Sequence, residues 1–256
     1  APSYPFVGRD YEVEAVYSKG FSVSELMPVN SVGIVTARDE LTIDMDRDAL
    51  WSRVQDFTQS DPETLRNRYN LGKDVQDWSV ANAKADVLAH FDPAQLVPMT
   101  YRPFDTRWTF YTGTSRGFQC RPRGEVMRHF LIGPNLTAMI CRQTIQANWH
   151  HVMALDHIVD DSCVSNLSRE RGYAMPLYLY PEEGTLAQSI RVNFEPKLYA
   201  QIRAAAGLTA PLASPDGTDA FRRATGDARP DEVKVFDYIY GVLHCPAYRA
   251  TYAEFL

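Results

Sequence analysis

The chain has 256 residues, 45% hydrophobic and 12% aromatic, which is enough apolar matter for a sizeable core and too much for a disordered chain. Its formal net charge of −6 argues against a surface that adheres to polyanions all over. No apolar run reaches the ~18 residues of a membrane span. The start lacks the basic-then-apolar pattern of a signal peptide, and four scattered cysteines with no CxxC pair argue against structural zinc. These features predict reduced, buried thiols in a cytoplasmic protein without membrane contact. Ala1 in place of an initiator Met points to a processed chain or a fragment.

Residues 1–96 read as a mixed α/β segment. "SVGIVT" (Ser31–Thr36) and "LTIDM" (Leu41–Met45) have the β-prone composition of short strands, joined by the polar turn "ARDE". "DRDALWSRVQDF" carries Leu50, Val54 and Phe57 at helical spacing. Ser60, Asp61, Pro62 and Glu63 give a helix start with Ser60 as the cap, and Ser79 caps a further helix. Residues 97–181 change character. "RWTFYT", "LTAMICRQ", "HHVMALDHI" and "MPLYLY" predict short strands interrupted by Gly, Pro and Asn. Residues 182–256 return to helix: "EPKLYAQIRAAAGL" ends near Gly207, a Pro/Gly/Asp-rich insertion follows, and two last helices break before Pro246. The expected fold is therefore α+β. A twisted, mostly antiparallel sheet with long loops stands between an N-terminal α/β segment and C-terminal helices, with the β-rich part as the recognition core.

Catalytic signatures are missing. There is no GxxxxGK[ST] loop, GxGxxG, GxSxG or HExxH, and no Gly-rich loop paired with the Asn/Asp-Pro-Pro-Tyr/Phe motif of an adenine methyltransferase. "HHVMALDHIVDD" gathers His150, His151, His157, Asp156, Asp160 and Asp161, but strand alternation sends His150 and His151 to opposite faces, so no metal site is expected. Asp216, Glu232 and Lys234 match a PD…ExK nuclease pattern formally. Asp216 falls in a Gly/Pro loop, however, and the other two open a helix, whereas Mg²⁺ needs rigidly placed carboxylates. A magnesium-dependent nuclease and a protein-interaction domain are the alternative readings.

Charge is unevenly spread. Residues 1–100 hold nine basic and sixteen acidic side chains, residues 101–180 nine and six, and residues 181–256 eight and ten. The positive middle contains "YRPFDTRWTFYTGTSRGFQCRPRGEVMRHF", with six arginines, no lysine and interleaved aromatics. A guanidinium is a planar fork that grips phosphate and reads guanine O6 and N7 bidentately, which lysine cannot match. Arg102 and Arg107 flank Asp105 and read as a local ion-pair and ring-stacking latch, with Tyr101, Phe104 and Trp108 as core. Ser115, Arg116, Arg121 and Arg123 lie in a turn-rich loop. Pro122 extends the backbone so that Arg121 and Arg123 diverge, and Glu125 is the one close acidic residue. The expectation is double-stranded DNA contact through guanidinium groups opening onto one cleft free of counter-charge. "CRQTIQANW" adds Arg142, Gln143, Gln146 and Asn148, the amides matching adenine edges.

"YRPFDTRWTFY", "RPRGEVMRH", "PNLTAMICRQ", "RGYAMPLYLYP" and "VFDYIYGVLHCPAYRATYAEFL", in that order, resemble the C-terminal target-recognition region of type ISP restriction–modification enzymes. These are large bacterial chains with nuclease, helicase-like and N6-adenine methyltransferase parts. The resemblance covers nearly the whole chain and is weakest in the first ~30 residues and in 208–230. It implies a module, non-catalytic by itself, that recognises a short DNA sequence and presents its adenine to an upstream methyltransferase domain of the same parent chain. S-adenosylmethionine would belong to that domain, and no cofactor is expected here. Base-reading residues should differ between family members, which favours the loop positions over Arg102 and Arg107.

Overall fold

A computed structural model describes residues 10–75, 77–143, 151–167, 170–182, 184, 189–209 and 217–255. The chain opens with α1 (Tyr11–Tyr17) and α2 (Val23–Leu26), the second held by a capping box between Ser22 and Glu25. Next come β1 (Ser31–Val32), the single turn α3 (Asp39–Thr42) and β2 (Ile43–Asp44). The two strands expected over 31–36 and 41–45 are thus shorter than their composition indicated, and they do not pair with each other. At Gly33 a Cβ would lie 2.5 Å from the Asp161 backbone nitrogen, so the chain changes neighbours there and Ile34 bridges Asp160 instead. Leu41 and Thr42 close a helical turn on Arg38, which shortens the second strand.

Three helices follow. The first, α4 (Arg47–Gln59), is capped by Asp46 and turns Leu50, Val54 and Phe57 fully inward. The second, α5 (Pro62–Arg68), is capped by Asp61, with Pro62 in its first turn. Ser60, the expected cap, instead closes the C-terminus of α4, because Asp61 reaches the free amides of Glu63 and Thr64. The third, α6 (Val80–Ala89), is capped by Ser79 as its sequence indicates.

The hairpin β3 (Leu96–Arg102) and β4 (Asp105–Phe110) turns through Pro103 and Phe104. With β2 on one side and β7 (Ile158–Val159) on the other, it forms a sheet in the order β2-β4-β3-β7. All its pairings are antiparallel except β3 with β7. A second sheet runs β1-β8-β5-β6 and is antiparallel throughout, with β5 (Thr137–Cys141), β6 (Val152–Leu155) and β8 (Gly172–Pro176). A short ribbon pairs β9 (Tyr178–Leu179) with β10 (Arg191–Val192). The fold is the expected α+β, but its β-structure is divided between sheets, and each four-stranded sheet takes one edge strand from residues 31–44.

Packing follows this division. Helices α4–α6 close over the first sheet on a core containing Phe57, Trp78, Phe110 and Phe118, with Phe118 edge-on to both Phe57 and Phe110. The C-terminal helices α8 (Pro196–Ala205), α9 (Ala220–Arg223), α10 (Asp231–His244) and α11 (Pro246–Thr251) follow in sequence. Tyr199, Phe221, Val233 and Phe236 from them join Met175 and Tyr178 in a second core. Between the sheets, Met99, Met139 and Ile158 meet Val126 and Met127 of α7 (Gly124–Leu131) in a third. No described helix is long and apolar enough to cross a membrane.

Two buried polar side chains, Asn135 and His129, tie α7 to the strands beside it. Asn135 donates to the carbonyls of His129 and Tyr178 and accepts from the amides of Leu136 and Tyr178. His129 Nδ1 accepts the Tyr180 amide at 3.0 Å, which requires a neutral ring. Burial, helped by the charges of Arg128 and Arg191, pushes the His129 pKa down to about 4.

Two outcomes are expected. Phe118→Ala should cost about 3–5 kcal/mol in urea unfolding, since it empties the centre of one core. The folded pKa of His129 lies below its unfolded value of about 6.5, so the unfolded chain takes up the proton first and stability is lost as pH falls through this window. The stability advantage of wild type over His129→Gln should therefore shrink by about 2–3 kcal/mol between pH 7 and pH 4.

Candidate nucleic-acid interface

The loop from Gly113 to Arg123 leaves β4 and enters α7, and it is pinned along its length. The Asp86 carboxylate, buried on α6, accepts the Thr112 hydroxyl at 2.9 Å and the Phe118 amide at 2.8 Å. A Cβ at Gly117 would stand 2.2 Å from Asp86 Oδ2, so only glycine fits beneath the loop. Trp78 Nε1 donates to the Phe118 carbonyl at 3.2 Å and Tyr111 Oη to the Pro122 carbonyl at 3.0 Å. Val35 and Arg121 exchange backbone hydrogen bonds at 3.0 and 2.9 Å. Arg116 and Arg123 both hold left-handed backbone, φ +59° and +57°, a cost that non-glycine residues bear when surroundings over-determine them.

The loop borders a groove of two adjoining compartments, each of about 490 Å³. Asp77, Arg121 and Arg123 line both; Ser115, Arg116 and Glu125 line the first, and Asp161 and Arg171 the second. Four of the sequence-derived candidates, Ser115, Arg116, Arg121 and Arg123, are thus brought together. Arg121 and Arg123 do not diverge as the bracketing proline implied: both line both compartments, and the backbone at Arg123 is left-handed where an extended one was expected. Arg123 makes no ion pair among the described residues, and its buried Nε has no hydrogen-bond partner.

The expectation of a cleft free of counter-charge needs correction. Asp77, in the turn between α5 and α6, pairs with Arg116 at 3.4 Å through Oδ1 and with Arg121 at shorter range through Oδ2. The Arg121 hydrogen bond, joined by the charges of both arginines, holds the Asp77 carboxyl below the usual carboxylate range. Arg171 pairs with Asp161 at 2.6 Å, and burial pushes the Asp161 carboxyl up. Four guanidinium groups therefore face three carboxylates, leaving the lining net positive on a chain of net charge −6. Asp77 and Arg171 escaped the sequence reading. Asp77 lies far from the loop along the chain, and Arg171 stands outside the arginine-rich stretch although it contributes to the positive middle region.

Other candidates sit elsewhere. Arg142 lines neither compartment. It donates to Asn30 Oδ1 at 2.8 Å and stacks on Tyr173, 4.1 Å from the ring centroid. Tyr173 opposes Val32 in the β1–β8 ladder, and Val32 lines the second compartment, so Arg142 sits on that face of the sheet. Gln143 is exposed just beyond it, and Gln146 and Asn148 lie outside the described residues. Arg102 and Arg107 both stack on Tyr101, at 3.8 and 4.4 Å, and pair with Asp160 and Asp105 at 2.6 and 2.7 Å. They form a ring-stacked, ion-paired latch, but only Arg107 uses Asp105 as their spacing implied; Arg102 reaches Asp160 beyond β7 instead. Phe104 is not part of a core: it is 98% exposed with φ +62° at the hairpin tip, where a two-residue turn projects it past the sheet edge.

His150 lies outside the described residues, and the acidic and histidine residues of 151–161 disperse to separate partners, Asp156 to His157 and Arg222, Asp160 to Arg102, Asp161 to Arg171 and His151 to Glu170. No group of three or more metal-ligating side chains occurs among the described residues. Of the nuclease-like trio, Asp216 lies outside the described residues, Glu232 is buried against the Tyr178 hydroxyl at 3.1 Å and Lys234 faces Asp231 at 3.6 Å.

The fold has relatives among solved structures. The DrdV–DNA complex, determined by cryo-electron microscopy, matches with TM-score 0.57 and 20% identity over 89% of this chain and 20% of that one. The ATP-dependent Type ISP restriction–modification enzyme LlaBIII bound to DNA matches with TM-score 0.54 and 16% identity over 90% of this chain and 14% of that one. The chain thus spans about a fifth or less of the length of these structures. No curated protein sequence matches it. Residues 25–256, nearly the whole length, match the Type ISP C-terminal specificity domain, and the chain belongs to that family.

Proposed function

We propose that this chain recognises a short sequence in double-stranded DNA and that the arginine groove is its contact surface. The observation that carries the proposal is the convergence of Arg116, Arg121, Arg123 and Arg171 on one groove whose loop is pinned by buried hydrogen bonds. Sequence readout requires guanidinium forks held in fixed orientation, whereas general attraction needs only charge. Family membership supports this reading, as does the likeness of the fold to parts of two proteins solved with DNA.

Within the groove, Arg116, Arg121 and Arg123 are assigned to base edges and Arg171 to phosphate, with Ser115 as a neighbouring polar contact. Arg142 supplies further phosphate charge beside them, and Gln143, Gln146 and Asn148 are secondary candidates for adenine edges. The module is non-catalytic in this reading. It serves an N6-adenine methyltransferase domain of the same parent polypeptide, in the bacterial cytoplasm. That domain would bind S-adenosylmethionine and take the flipped adenine. The inward seat of Glu232 favours recognition over the magnesium-nuclease alternative.

The test is selection of bound duplexes from a random pool by the intact protein that carries this chain, followed by titration of variants. Arg123→Ala is expected to weaken the selected target by about 1–3 kcal/mol and to relax the choice at one base pair. Arg171→Gln should weaken target and mixed-sequence duplex alike and lower the salt slope by about one. If both variants bind every duplex as wild type does, the groove is not the interface.

A further inference from the structure

Asp77 is one of three groove carboxylates that oppose a polyanion, and the one that lines both compartments. Its carboxylate offers one oxygen to Arg116 and the other to Arg121, and it lines both compartments. The backbone beneath it is fixed: Val75 and Trp78 form a bridge across this turn, and Cys120 Sγ donates to the Asp77 carbonyl at 3.3 Å. The two arginines remain largely open, with side chains 60% and 50% exposed. Exposed ion pairs add little to folding stability, so holding the fold together does not account for this arrangement.

Two physical effects do account for it. A guanidinium has five donors; the carboxylate accepts a hydrogen bond from one terminal nitrogen of Arg121 and stands 3.4 Å from one of Arg116, so each half-exposed fork keeps further donors for a ligand. Clamped in this way, the forks lose rotational freedom before any base arrives, which sharpens discrimination between base edges. The same carboxylate cancels part of the positive charge, and that charge is what a DNA backbone of any sequence feels.

Resting on the reading of the groove as a DNA interface, we infer that Asp77 is a specificity-determining positioning residue. It orients Arg116 and Arg121 toward base edges and suppresses their attraction to arbitrary phosphate. In this role it stays with the two arginines in the target complex and is not displaced by the backbone.

The experiment measures affinities of the intact protein for its selected duplex and for mixed-sequence duplex across a salt series, comparing wild type with Asp77→Asn. Asparagine keeps the shape and removes the charge. Affinity for mixed sequence should rise, its salt slope should steepen by about one contact, and the target-to-mixed ratio should fall about tenfold or more. The double variant Arg116→Lys/Arg121→Lys keeps the charge and loses the forks, and its ratio should fall too. In an Arg116→Gln/Arg121→Gln background, Asp77→Asn should leave the ratio unchanged. The inference is overturned if Asp77→Asn leaves the ratio at the wild-type value, whether both affinities rise together or neither moves. It is also overturned if the ratio falls equally in the arginine-less background. A wild-type protein that prefers no duplex in the selection would instead remove the DNA reading itself. Thermal unfolding of each variant separates these outcomes from loss of fold.

Discussion

The carboxylate of Asp86 accepts the Thr112 hydroxyl at the foot of the arginine loop and the Phe118 amide within it, and it meets the loop where only glycine fits. His90, one turn along α6, lies 3.0 Å from the same carboxylate. A buried carboxylate left unsatisfied is costly, so the loop and the helix bundle cannot separate without exposing or orphaning that charge. Everything at the groove depends on this constraint. It fixes Phe118 between Phe57 and Phe110, and Phe118 in turn presents its carbonyl to Trp78. The three-helix layer therefore acts as a base for a recognition loop carried by the neighbouring sheet.

Rigidity has an electrostatic consequence. Mobile arginines on an acidic protein would collapse onto the nearest carboxylates and neutralise one another. Here the loop, pinned beneath and left-handed at Arg116 and Arg123, sets Arg116 and Arg121 where a single carboxylate serves both guanidinium groups. Elsewhere the same residue types do structural work. Arg102 and Arg107 both stack on Tyr101 and each meets a carboxylate within 3 Å, so they brace the hairpin and are engaged within the fold. Burial outweighs the pull of Arg102 and lifts the Asp160 pKa to about 6, a sign of how far this latch is withdrawn from water.

The two four-stranded sheets share one topological habit: each takes an edge strand from the segment before the helical layer. The path between these edges is short, since β1 and β2 are separated by the turn at Ala37, φ +65°, and by α3. The bridge from Val35 to Arg121 lies on this path and ties the strand crossover to the arginine loop. The groove therefore forms where the two sheets, the loop and the turn carrying Asp77 come together, and no one segment supplies it.

Local features were legible in the sequence because they rest on interactions a few residues long. The inward face of α4 follows from apolar spacing, Ser79 from its capping chemistry, and the break before Pro246 from the missing amide. The positive middle region and the arginine loop were equally plain, since charge and composition survive any fold. Tertiary structure alone decided which strands became neighbours, that Phe104 points outward, that Arg171 joins the groove and that Asp77 closes onto Arg116 and Arg121. These outcomes depend on residues far apart in the chain, and they are set by packing of whole layers and by close backbone approach at Gly33 and Gly117. Neither leaves a periodic trace in a single sequence.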